Sequence, residues 1–207
     1  MSASASPPPD EQRSRLGLRE RKKLKTRATI REATYRLVAE QGYEATTVEQ
    51  IAAAAEVSPS TVFRYFPTKE DIVLTDEFDP VMEAAIRARP AGEPPLESMR
   101  AVLKQAVETI LAEQPDEMRR RGKVMLEIPA VRARMTETMA ETSLLLSRAV
   151  ADRTGRETGD LEVRIFTASV VAVLREVTVY WAEHGQKDDL AALIDRALNS
   201  LKGGLAL

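Results

Sequence analysis

Residues 46–65 read TTVEQIAAAAEVSPSTVFRY and hold two short helix signatures around a polar turn. Thr47 is placed to cap the first, and Gln50 three residues on completes a capping box. Val48, Ile51, Ala52 and Ala55 then make one apolar face, whose alanines let another helix approach closely. Glu56, Val57 and Ser58 break the pattern. Ser58 caps the next helix, and Pro59 takes the first helical position, where its missing N–H removes no hydrogen bond. Val62 and Phe66 lie one turn apart and face inward, which leaves Ser60, Thr61, Arg64 and Tyr65 on other faces. Pro67 stops this helix, and Thr68 caps the following one with Asp71 at its third position.

Two short capped helices joined by a turn of three or four residues form a helix-turn-helix pattern, although an ordinary helical hairpin has the same spacing. Two features favour a reader of nucleic acid. The second helix exposes small hydroxyl groups, an Arg and a Tyr, all able to reach phosphates or bases. Directly upstream, residues 13–36 carry ten Lys or Arg against two Glu, inside a chain whose net charge is only −2. A basic segment beside an acidic body points to a local contact with a polyanion, and a solvated helix face is the plain alternative.

Outward from this stretch the chain reads as helices. Residues 1–12 are Ser, Ala, Pro and acid without periodicity, so 1–17 is expected to be a disordered tail. From Leu18 to Gln41, Ile30, Ala33, Thr34, Leu37 and Val38 form one buried stripe, and Gly42 follows as the left-handed terminator. Another helix is expected from Lys69 toward Arg89, kinked or broken near Asp79 by Pro80. Beyond the Pro90–Pro95 loop, helices are expected at about 96–113, 116–127, 129–153, 160–183 and 188–201. The fold class is all-α with about nine helices. A three-helix helix-turn-helix domain at 18–67 precedes a helical ligand-binding and dimerisation domain at 68–207.

Composition narrows the chemistry. There is no Cys and a single His, His184, so neither thiolate chemistry nor a Cys- or His-built zinc site is available. No nucleophile elbow or glycine-rich phosphate loop is present, and His184 sits at an expected helix end, where it complements the helix dipole. No catalytic residue, metal or cofactor is therefore assigned, and the chain is not expected to be an enzyme. No run approaches 18 apolar residues and the N-terminus lacks an apolar leader core, so a cytoplasmic location is expected.

At this level of detail residues 24–74 resemble the DNA-binding domain of the tetracycline-repressor (TetR) family of bacterial regulators. The resemblance rests on Ile30, Ala33, Gly42, Tyr43, Thr46-Thr47-Val48, Ile51-Ala52, Val57-Ser58, Thr61 to Phe66 and Lys69-Glu70. It implies that Thr47 bonds a phosphate and that Ser58, Pro59, Ser60 and Thr61 enter the major groove. Arg64 and Tyr65 would touch base edges or flanking backbone, and Lys69 would grip a phosphate. Arg21, Lys22 and Lys23, with Arg13, Arg15 and Arg19, would act as an N-terminal arm. Two departures stand out. Glu56 occupies a turn position usually held by Gly, which implies a left-handed conformation costing roughly 1 kcal/mol. Phe63 stands where Tyr is common, so it is left with packing or apolar contact rather than a phosphate bond. The N-terminal phrasing is also similar to regulators found near mycofactocin genes, which implies an acyl-CoA.

The two last helices are the most apolar. Val163, Val170, Leu174, Val177 and Trp181 mark a heptad seam, and Leu190, Leu193, Ile194, Ala197, Leu198 and Leu201 a single stripe. Both could be buried within one subunit, or could meet their copies in a four-helix bundle. A two-fold operator with two half-sites favours the second, so these residues are expected at a homodimer interface. A ligand site is expected among Phe78, Met82, Met118, Met125, Ile128, Met139, Phe166, Arg175 and Tyr180, although Met at helical spacing also serves as core filler. Few aromatics argue against a cage for a flat cationic drug and leave room for a small apolar ligand, such as an acyl chain or acyl-CoA.

These readings converge on a homodimeric regulator of double-stranded DNA, most simply a repressor released from a palindromic operator by a small apolar ligand. An activator of the same fold, or a ligand-sequestering helical protein without a DNA role, would share much of the pattern.

Overall fold

Cap chemistry lays out the first helices of the computed structural model, which describes residues 18–75 and 79–204. Helix α1 spans Leu18–Gln41 and ends on Gly42, whose φ of +83° is the left-handed terminator. Helix α2, Val48–Ala54, opens on the capping box of Thr47 and Gln50. Helix α3, Pro59–Tyr65, opens on Ser58, whose hydroxyl accepts from the Thr61 amide, with Pro59 at the first position. Helix α4, Lys69–Leu74, opens on a reciprocal pair: the Thr68 amide donates to Asp71 and the Asp71 amide to the Thr68 hydroxyl.

The next helix starts at Asp79, so the single helix expected from Lys69 to Arg89 is two. Helix α4 stops at Leu74, and α5, Asp79–Ala88, has Pro80 as its second residue. Proline in the first turn lacks only an N–H that has no intrahelical acceptor, so it opens α5, and of the kink or break expected near Asp79 the structure has the break. Helices α6 (Pro95–Glu113), α7 (Pro115–Glu127), α8 (Pro129–Thr154), α9 (Leu161–Glu183) and α10 (Leu190–Lys202) complete the chain. That makes ten helices and no strand among the described residues, one helix more than the sequence reading, because of the split.

The chain divides into two units between Ile72 and Val73. In the first, Ile30, Ala33, Ile51, Ala52, Val62, Phe66 and Ile72 interlock as one core. In the second, α9 packs on α7, α8 and α10, while α6 packs on α5 and α10. Its core runs through Ile86, Met99, Leu103, Leu146, Val150 and Val163 to Trp181 and Leu198. The Ser147 and Thr167 hydroxyls lie 2.8 Å apart inside it, a buried polar pair that fixes the register of α8 on α9.

The heptad seam expected at a dimer interface packs within this core in the single subunit. Val163, Val170, Val177, Trp181, Leu190, Leu193, Ile194 and Leu198 are buried within the subunit, and Leu174, Ala197 and Leu201 pack against them. A 3.5-residue repeat records that a helix has a close neighbour along one face. It does not record whether that neighbour comes from the same chain. Exposed apolar groups lie on α9 at Leu161 and Ile165, each more than half exposed, and on α8 at Leu144.

The residues expected at a ligand site lie in several places. Met82, Met118, Met139 and Phe166 lean against the second core as filler. Tyr180 is partly exposed and stacks on His184 at 3.9 Å. Met139 and Arg175 border an open depression between α8 and α9, whereas Met125 borders a separate, small void with Gly122, Met135, Thr178 and Ala182. Ile128 is the residue that joins α7 to α8. Phe78 lies outside the described residues. The described members of the set therefore do not converge on one cavity. Methionine fits any irregular gap, so its position on a helix does not identify a pocket.

Candidate nucleic-acid interface

The first unit presents α3 with its apolar side sealed and its polar side open. Val62 and Phe66 are buried, and Tyr65 packs against the same core. Ser58, Pro59, Ser60 and Arg64 are exposed, with Thr61 half-buried. The hydroxyls form a cluster: Ser58 Oγ lies 2.9 Å from both Ser60 Oγ and Thr61 Oγ1. Arg64 donates to Thr61 Oγ1 at 3.4 Å, with its guanidinium 5.3 Å from the centre of the Tyr65 ring. Hydroxyls that both donate and accept, beside an arginine fork, suit phosphate oxygens and base edges alike. Phe63 is 51% exposed on this helix, so it takes no part in the core.

Glu56 has φ +55°, so the turn between α2 and α3 does adopt the left-handed conformation expected there. At the front of α2, Thr47 is exposed and occupied as a cap: its hydroxyl accepts from the Gln50 amide, and its own amide donates to Gln50 Oε1. Gln41 reaches over from α1 and donates to Gln50 Oε1 at 2.8 Å and to the Ala45 carbonyl at 3.0 Å. Arg21, Lys22 and Lys23 are exposed on α1, whereas Arg13 and Arg15 lie outside the described residues. Arg27, further along α1, sits 4.7 Å above the Phe66 ring.

Lys69 is held more closely than a phosphate-gripping role requires. Its ammonium donates to the carbonyls of Tyr43 at 2.9 Å and Thr46 at 3.0 Å, and lies 4.0 Å from the centre of the Tyr43 ring. Tyr43 is buried and its hydroxyl donates to Glu70 at 2.8 Å. Burial, followed by that bond to a carboxylate, drives the phenol's pKa upward, so it stays a donor across the working pH range. The sequence reading matched Tyr43 and Glu70 to a family pattern but gave neither a role. Their partners are 27 residues apart, so only folding brings them together.

A helical reader with a sealed inner face, an exposed hydroxyl and arginine face and a basic flanking helix defines a DNA-binding helix-turn-helix protein. Comparison with known proteins narrows the class. Residues 30–75 match the family described as bacterial regulatory proteins, tetR family, and residues 93–206 match the MftR C-terminal domain. The HTH-type transcriptional regulator TcmR of Streptomyces glaucescens is 36% identical over 196 residues, covering 90% of this chain and 87% of TcmR. Among solved structures, Thermus thermophilus FadR, a TetR-family repressor in complex with lauroyl-CoA, is 25% identical with a TM-score of 0.55, over 87% of this chain and 95% of FadR. The likeness to Pseudomonas aeruginosa NalD, at 19% identity, a TM-score of 0.58 and coverage of 87% and 96%, shows the shared fold. The chain belongs to the TetR family of DNA-binding transcriptional regulators.

Proposed function

We propose that this regulator is a homodimeric repressor that leaves a palindromic operator when a small apolar ligand, an acyl chain or acyl-CoA, enters its second unit. The observation that carries the DNA side is the open face of α3, with Ser58, Ser60, Thr61 and Arg64 gathered on it. Ser60, Thr61, Arg64 and Tyr65 select the sequence, and Phe63 offers an apolar contact of the kind a thymine methyl makes. Thr47 and the basic residues Arg21, Lys22 and Lys23 add affinity through phosphates.

For the dimer, support comes from the outer face of α9. This helix is apolar along most of its length, yet less than a third of its most apolar stretch is buried in the subunit. Leu161 and Ile165 stand on the open side, and a second copy would cover them. On the ligand side, the void bounded by Gly122, Met125, Met135, Thr178 and Ala182 holds no more than about one water. Two of its walls are unbranched methionines that can change rotamer, so the seam between α7, α8 and α9 can widen around a chain. A ligand that favours the widened state then shifts the population away from the DNA-bound one. Lauroyl-CoA in the related FadR supports the choice of ligand class.

The test is fluorescence anisotropy of the full chain on its own upstream DNA, titrated with lauroyl-CoA, free laurate and coenzyme A. Binding that lauroyl-CoA reverses and coenzyme A leaves intact is the expected result. A duplex bound equally with and without every acyl compound would overturn the ligand assignment, and binding that requires the ligand would make the protein a co-repressed or activating regulator.

A further inference from the structure

Lys69 opens α4, but its ammonium points back toward the turn that precedes α2. We propose that Lys69, with the Tyr43–Glu70 pair, is a positioning residue: it braces the 42–47 turn so that the front of α2 meets the DNA backbone, and does not itself grip a phosphate. An ammonium has three donors and no acceptor. Here two carbonyl oxygens and the face of an aromatic ring surround it, and the side chain is half-buried. Those carbonyls belong to Tyr43 and Thr46, and Thr46 immediately precedes the cap residue Thr47.

The other bonds of the turn show what the brace adds. The Thr46 hydroxyl donates to the Gly42 carbonyl at 2.8 Å, and Gln41 donates to the Ala45 carbonyl. Both come from α1 or from the turn itself. Lys69 and Glu70 tie the same turn to α4, one through the Tyr43 carbonyl and the other through the Tyr43 hydroxyl. The start of α2 is thereby fixed between two helices. Moving the ammonium to a phosphate would leave two carbonyls beside buried Tyr43 without this donor, and charge-assisted bonds of this kind are about twice as strong as neutral ones.

The two roles separate in the salt dependence of binding, because a lost phosphate contact lowers the log–log slope by about 0.9 and a lost brace does not. A fluorescein-labelled duplex is first selected in vitro by the wild-type full chain, so a failure of the regulator reading appears before any variant is used. Affinities of wild type, Lys69→Met, Lys69→Arg and Tyr43→Phe are then measured across a KCl series, with folding followed by circular dichroism. The expected result is that Met and Arg at position 69 both weaken binding by roughly tenfold or more at every salt concentration, with the slope unchanged. Arginine keeps the charge but its planar fork does not fit a site made for a compact ammonium. Tyr43→Phe, which removes only the hydroxyl, gives a smaller loss with the same slope. Wild-type affinity for Lys69→Arg with a shallower slope for Lys69→Met would overturn the brace in favour of a phosphate contact. Unchanged affinity in a variant whose melting temperature falls would overturn it in favour of a purely structural role. Should Lys69→Met not fold, Lys69→Arg and Tyr43→Phe decide between the same outcomes.

Discussion

Arg153 and Glu93 show how much a few side chains settle at the residue scale. The Arg153 guanidinium donates to the carbonyls of Ile86, Arg89, Pro90 and Glu93, and so holds the bend between α5 and α6. Glu93 accepts from Arg89 and from the buried Ser98 hydroxyl. The Arg89 bond, then the Ser98 bond, bring its pKa down to about 2. An unfolded glutamate titrates near ~4.3, so the folded state binds this proton less readily. The contribution to stability is complete above the unfolded value and is lost as pH falls toward the folded one. Thermal melts between pH 5 and pH 2 should therefore show a steeper acid loss for wild type than for Glu93→Gln. Parallel curves would remove Glu93 from the acid response. None of this was legible in the sequence, where Glu93 sits in a short Pro- and Gly-containing loop with no sign of its partners.

Caps and breaks decide the elements. Thr47, Ser58 and Thr68 each sit one residue before a helix and bond its first turn, and each could be read from residue type and spacing alone. Ser58→Ala should lower stability by about 1 kcal/mol, measured by urea denaturation. Because Ser58 also anchors the Ser60 and Thr61 hydroxyls, operator binding should weaken beyond that loss; a change in stability with full affinity would detach the hydroxyl cluster from recognition. The break after α4 was anticipated from Pro80 but falls earlier, since a proline is equally at home in the first turn of a new helix. The heptad in α9 was legible as a packed seam, and within one subunit it packs on the chain's own core, because period reports a neighbour and not its owner.

The molecule as a whole is two helical units with opposite demands on their surfaces. The first hides a small core and opens a polar helix; the second hides a large core and leaves apolar groups along α9 uncovered. Two substitutions separate core from interface. Ile165→Glu should convert a dimer to monomers in light scattering with little effect on the monomer's fold, because that side chain is 56% exposed. Leu198→Ala, at a fully buried position, should cost about 2–5 kcal/mol and leave the association state of the folded protein unchanged. A dimer that survives Ile165→Glu and dissociates with Leu198→Ala would reverse this assignment.

By itself the sequence determined the helical class, the helix-turn-helix and most helix boundaries. Those depend on local chemistry: which residue caps, which lacks an N–H, and which apolar groups repeat every three or four positions. Only the tertiary structure decided which apolar stripes face the subunit's own core, that the methionines do not gather into one cavity, and that Lys69 turns inward to Tyr43 and Thr46. Each of these depends on groups far apart in the chain. A lysine beside a helix start carries the same charge and reach whether it meets a phosphate or two carbonyls, and only the fold brings the carbonyls within 3.0 Å.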